Sequence, residues 1–115
     1  MKLLSYFLIG CIIGLVLGAM NAPPKYHQVT WYAHTGHLTA SGETYDEELY
    51  TCAVKDRADM KHWFVLTYGK RSVRVWANDI IPKAAAADFD LTPEAFTSLA
   101  PLGVGRLYGV EARRE

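Results

Sequence analysis

The stretch from Trp63 to Ala77, WFVLTYGKRSVRVWA, restricts the fold of this chain more than any other feature. Two runs of β-branched and aromatic residues flank Gly69-Lys70, the pattern of strand, tight hairpin turn and strand. In the second run Val73, Val75 and Ala77 alternate with Arg74 and Trp76, as a strand with one buried face requires. Similar runs recur at Gln28–Tyr32, Leu49–Val54 and Val104–Val110, where glycines permit close approach or bulging. His34–Gly42 is polar with two glycines and reads as a loop. One helix is expected, with Thr92 as N-cap, Pro93 in the first helical position and Pro101 and Gly103 at its end. Ala95, Phe96, Leu99 and Ala100 would face inward. The alanine run Ala84–Ala87 is expected to add a further helical turn. Several short strands with one or two short helices predict a mainly β fold, a small barrel.

The chain has 115 residues, enough for one domain. Met1-Lys2 precedes an apolar run from Leu3 to Met20, followed by Ala22 and the stiff pair Pro23-Pro24. The expected layout is a signal peptide or membrane anchor helix over 1–22, a linker over 23–25 and a folded domain over 26–115. The run is long for a signal sequence and just short of a comfortable span of about 20 residues. Leu8–Cys11 also has the look of a lipoprotein-processing box. Each alternative exports the domain to the periplasm or cell envelope, anchored to the membrane where the segment is uncleaved or lipidated. Twelve basic residues balance twelve acidic ones, and the absence of a basic stripe argues against a nucleic-acid partner.

A domain of about 90 residues often recruits disulfides when exported. Here Cys11 falls in the apolar segment and Cys52 stands alone, so the core must suffice. Cys52 reads as a small buried hydrophobe, with a reactive thiol or an intermolecular bridge as the alternative. No Cys/His spacing resembles a zinc site, and neither metal nor cofactor is expected.

Candidate chemistry lies in Thr39–Asp46, TASGETYD, and in Trp76–Asp79, WAND. Glu43 and Asp79 facing one cleft would suit acid/base work on a glycosidic bond. Partial burial at the end of an apolar strand would raise the pKa of Asp79 and keep it protonated. Trp31, Tyr32 and Tyr45 offer flat apolar faces for pyranose rings, while Ser41 and Asn78 are candidate substrate hydrogen-bonders. Plainer roles compete with these. Glu43 would hydrogen-bond loop amides, and Asp79 would cap the following turn. Asp46 braces its loop, and Asp90 organises the helix N-terminus. Trp63 and Trp76 read as core. His34, His37, His62 and the Lys55–Lys61 stretch read as solvated.

Several motifs stand in family order: Trp31-Tyr32, Thr39–Glu43 with Tyr45-Asp46, Ser72–Val75 after Gly69, Asn78-Asp79 with Pro82, Asp90–Thr92 with Ala95, and Gly105 with Val110-Glu111. On these the domain resembles the double-psi β-barrel of the rare lipoprotein A family, which is also seen in expansins, barwin-like proteins and related endoglucanases. The resemblance implies a six-stranded barrel and a lytic transglycosylase acting on peptidoglycan glycan strands. Such an enzyme cleaves between N-acetylmuramic acid and N-acetylglucosamine without water. It implies Asp79 as general acid/base and Glu43 as its partner carboxylate. Two positions depart from the family: Val54 stands where a histidine is usual, and Ile80-Ile81 replace Arg-Gly after the aspartate. A cell-wall glycan-binding module with weak or lost catalysis is therefore a second reading. An inhibitor on a barwin-like scaffold is a third, disfavoured by the lack of disulfides.

Overall fold

The structure is a computed structural model that describes residues 25–115; the expected signal or anchor over 1–22, and the proline pair of the linker, lie outside the described residues. Six strands form: β1, Tyr26–Trp31; β2, Thr51–Val54; β3, Trp63–Tyr68; β4, Arg71–Ile80; β5, Phe89–Leu91; and β6, Arg106–Arg114. They close into a barrel in the order β1-β5-β2-β4-β3-β6, with β6 returning antiparallel to β1. The pairs β1–β5 and β2–β4 are parallel, while the remaining neighbours are antiparallel. Closure removes exposed strand edges, which suits a small β domain.

The hairpin forms where the sequence places it, with Trp63 opposite Trp76 and Tyr68 opposite Arg71. Gly69 at its turn has φ 61°, a left-handed conformation that glycine adopts without a Cβ penalty. Inward residues of every strand meet inside the barrel, among them Val29, Cys52, Leu66, Val75, Leu91 and Val110, all fully buried. Each such side chain contributes about 1.5–3 kcal/mol relative to exposure. Cys52 is free and buried, so this apolar packing holds the domain together. Helix α1, Pro93–Thr97, closes one end by burying Ala95 and Phe96. Its N-cap Thr92 accepts a hydrogen bond from the Ala95 amide and donates one to the Leu49 carbonyl at 2.6 Å.

Three local expectations are corrected. Ala84–Ala87 forms no helix; the segment carries a turn, with the Ala85 amide bonded to the Pro82 carbonyl. Four alanines cannot repay helix nucleation, and the chain must straighten to enter β5. Asp90 does not organise the helix N-terminus but lies in β5 and accepts from Thr30, outside the barrel, while its neighbour Leu91 is fully buried. Leu49 and Tyr50 precede β2 and stay exposed. One irregularity matters for the site. Cys52 lies opposite Ala77 but Ala53 opposite Asp79, so Asn78 is an extra residue bulged out of β4. Such bulges re-aim side chains.

Candidate functional site

The TASGE segment folds back on itself. The Thr39 amide and hydroxyl both donate to the Glu43 carbonyl, at 2.8 and 2.9 Å, and the Gly42 amide donates to the Thr39 carbonyl at 2.9 Å. Gly42 has φ 92°, a conformation that side-chain-bearing residues rarely adopt. The turn then docks on the bulged end of β4: the Ser41 amide donates to the Asn78 carbonyl at 3.1 Å, and the Ala40 amide to Asp79 Oδ1 at 3.0 Å. Asp79 Oδ1 also accepts from the Ile80 amide at 2.9 Å, and Oδ2 accepts from the Tyr32 hydroxyl at 3.0 Å. Glu43 sits at the other end of the same turn. Its Oε1 accepts from Asn78 Nδ2 at 3.0 Å and from the Ser41 hydroxyl at 3.3 Å. Asn78 and Asp79, successive residues of β4, therefore hold the single loop that carries Glu43, while Asp79 itself does not line the cavity onto which Glu43 opens.

Asn78 is 3% exposed, and its Oδ1 is buried with no partner among the described residues. An unpaired buried acceptor costs about 1–3 kcal/mol. The benefit that offsets this cost lies on the other amide atom, which aims Glu43.

Glu43 opens onto a cavity of about 530 Å³. Trp63 and Trp76, neighbours across β3 and β4, form its apolar wall, with ring centroids 5.2 Å apart. Both are half-buried, so the expected core role is only partly met. The Arg74 guanidinium lies 4.0 Å from the Trp63 ring centroid and is itself paired with Glu115 at 2.9 Å. Leu49 and Tyr50 also line it. Asp46 also lines the cavity and braces its loop as expected, accepting the Glu48 amide at 2.9 Å.

Beside Asp79 the structure differs from the sequence reading at Tyr45. That ring is 2% exposed and its hydroxyl donates to the Tyr32 carbonyl, so it supports the site from beneath and offers no face to a sugar. Tyr32 is half-buried and packs on Tyr45 at 4.7 Å between centroids. Burial first, then the negative charge of Asp79, pushes its phenol well above the ordinary range. It therefore stays protonated as a donor to Asp79. Trp31 donates its indole N–H to the Leu102 carbonyl at 3.0 Å and packs against the core; it does not line the cavity.

Asp90 is the acid whose surroundings the sequence reading missed. It lies opposite Thr30 on one side and Ala53 on the other, and Ala53 is also opposite Asp79. The Thr30 hydroxyl donates to it at 2.8 Å. Burial raises its pKa, opposed by the Thr30 bond and Arg106 and reinforced by Asp79. The alternation Phe89-Asp90-Leu91 is the signal for this outward-facing acid. Val54 is 2% exposed inside the barrel. His34 and His37 are exposed, with ring centroids 4.6 Å apart, and His34 lies 6.2 Å from the Tyr32 ring. Among the described residues no group of three or more His, Cys, Asp or Glu side chains is placed to hold a metal.

A family model described as lytic transglycolase matches residues 27–110. Among solved structures the chain is similar to a Streptomyces papain inhibitor, with 23% identity and a TM-score of 0.67 over 82% of this chain and 98% of that one. It is also similar to an expansin from Clavibacter michiganensis, with 18% identity and a TM-score of 0.67 over 81% of this chain and 50% of that one. The chain thus spans half the expansin's length. A variant of the Clavibacter expansin in complex with cellohexaose matches with 17% identity and a TM-score of 0.65, over 81% of this chain and 50% of that one. Identities this low establish the fold alone. No curated protein matches the sequence.

Proposed function

The chain belongs to the lytic transglycolase family of double-psi β-barrels, and from that premise we propose that it is an exported, peptidoglycan-active lytic transglycosylase cleaving between N-acetylmuramic acid and N-acetylglucosamine. The observation that carries this reading is the docking of one turn on β4, which holds Asp79 and Glu43 by neighbouring contacts. In the proposed reaction Asp79 is the general acid/base, and a proton passes from it to the glycosidic oxygen as the bond from C1 to that oxygen breaks. The muramyl C6 hydroxyl oxygen then bonds to C1 and returns its proton to Asp79, leaving an anhydro product. Glu43 lends negative charge to the oxocarbenium-like transition state. Tyr32 positions Asp79 through its hydroxyl, and Ser41 and Asn78 orient Glu43. Export to the periplasm or cell envelope rests on the apolar run Leu3–Met20.

A second reading, a glycan-binding module without efficient cleavage, is favoured by Val54. A core valine supplies no imidazole, and Ile80-Ile81 supply no guanidinium beside Asp79. The Clavibacter expansin variant, half of which this chain matches, is itself in complex with cellohexaose.

The test is to incubate the full-length chain, in mild detergent, with peptidoglycan sacculi, intact and stripped of peptide. Soluble products are analysed by mass spectrometry, with Asp79→Asn in parallel. Anhydro products that vanish in the variant support the enzyme. Pelleting on sacculi without products supports the binding module.

A further inference from the structure

We propose that the barrel makes a membrane contact of its own: the tip of the β3–β4 hairpin and the adjoining outer face of β6 and β1 rest on an anionic phospholipid bilayer. This contact is independent of any chemistry at Asp79. Seven large apolar side chains are exposed among the described residues, and they fall into two sets. Leu38 bridges to Thr44 in the TASGE loop, and Leu49 and Tyr50 line the cavity. The other four are Tyr26, Tyr68, Val104 and Tyr108. Tyr26 lies opposite Glu111, and Glu111 opposite Thr67. The strands carrying the three tyrosines, β1, β6 and β3, are therefore consecutive, and the chain enters β1 two strand spacings, about 10 Å, from the hairpin. Tyr68, Arg71 and Val104 border one groove of about 440 Å³, with Leu107 in its wall. Exposed apolar groups gathered in this way mark a contact surface.

The chemistry of the patch selects the partner. Tyrosine has an apolar ring and a polar tip, and it concentrates where hydrocarbon meets water. The charges beside these rings are cationic. Lys70 and Arg71 stand at the hairpin tip and Lys25 precedes Tyr26; all three are exposed, and none is in an ion pair among the described residues. Glu111 is the acid among them. Lysine and arginine close to an anionic headgroup layer strengthen the contact, and salt weakens it. The sequence adds the reason for a bilayer. Met20 ends the apolar run, and five residues separate it from Tyr26, a reach of about 20 Å at most. An apolar run held in the bilayer keeps the barrel at its surface, where even a weak contact becomes intramolecular and needs little further ordering. The patch then sets how the barrel is turned on the membrane.

The test places the full-length chain in vesicles of phosphatidylglycerol and phosphatidylcholine brominated in the upper acyl chain, which quench nearby indoles. Tyr68→Trp and Tyr108→Trp add a reporter to the patch, and Tyr50→Trp adds one to the cavity as control. The parent's own tryptophans set the background, and flotation shows that each variant is with the vesicles. The added fluorescence is expected to be quenched roughly fivefold more at positions 68 and 108 than at position 50. Lys70→Glu together with Arg71→Glu, both on the exposed tip, is expected to bring the patch reporters down to the control level with an unchanged melting temperature. Vesicles of phosphatidylcholine alone, or 0.5 M salt, are expected to do the same. Quenching no greater than at position 50, equal quenching on phosphatidylcholine alone, quenching that survives the charge reversal, or a chain that does not float would each overturn the proposal.

Discussion

Replacing Asp79 by alanine and by asparagine separates its structural role from its chemical one. Alanine deletes three hydrogen bonds, to the Tyr32 hydroxyl, the Ala40 amide and the Ile80 amide. At a net ~1 kcal/mol each the loss is about 3 kcal/mol; no extra is added for charge, because the site is only half-buried. For a domain of this size each kcal/mol shifts the melting temperature by about 4–8 °C, so a drop of roughly 15 °C is expected. Asparagine keeps an oxygen at Oδ1 for both backbone amides. Its NH2 faces Tyr32, whose hydroxyl oxygen can accept. The cost of Asp79→Asn is therefore under ~1 kcal/mol and its melting shift within about 5 °C. Both variants are followed by circular dichroism on the full-length chain, and both are assayed for anhydro products. The expectation is two inactive proteins, one nearly as stable as the parent and one with a loosened TASGE turn. An asparagine variant as unstable as the alanine variant, or an alanine variant losing less than ~1 kcal/mol, would refute the docking role.

Thr92→Val removes both the N-cap bond to Ala95 and the bond to the Leu49 carbonyl, an expected loss of about 2 kcal/mol. It should appear as a lower urea midpoint with an unchanged slope, and a loss below ~0.5 kcal/mol would show that the hydroxyl does not tie the helix to the cavity rim. Asp90 has a folded-state pKa raised above its ordinary 3.8, chiefly by burial. Its contribution to stability is thus present in acid and lost as pH rises from about 4 through the folded-state value. Asp90→Asn, which keeps an acceptor for Thr30, should gain stability over the parent at pH 7 and match it near pH 3. Denaturant curves that keep the same offset at every pH would contradict this. Burial pushes the Cys52 thiol well above its usual range, so thiol reagents should label it only after unfolding. Rapid labelling of Cys52 in the native chain, told apart from Cys11 by peptide mapping, would show the barrel to be more open there.

The periodic and covalent features of the chain carried much of this structure without any coordinates. The alternation in Val73–Ala77 and the turn pair Gly69-Lys70 specify the hairpin because period 2 and a left-handed glycine are local properties. Thr92-Pro93 specify the helix start because a cap needs only its own first turn. Glu43 and Asp79 were legible as chemical groups through their motifs. What the sequence left open depends on long-range pairing. β5 is three residues long, too short to show a period, and forms because β1 and β2 both lend it hydrogen bonds. Tyr45 sits in a polar loop and looks exposed, yet the loop folds over the barrel and buries it. Trp63 and Trp76 look like core because they are large and apolar, yet their positions alternate with the inward residues and put them on the outer face. The bulge at Asn78 is visible only in the register of β2 against β4. Local pattern thus determined the longer strands, the hairpin turn and the helix cap. Barrel closure alone decided which outward faces meet, and so brought Glu43, Asn78 and Asp79 to one loop, because side-chain direction in a closed sheet is set by partners far away in the chain.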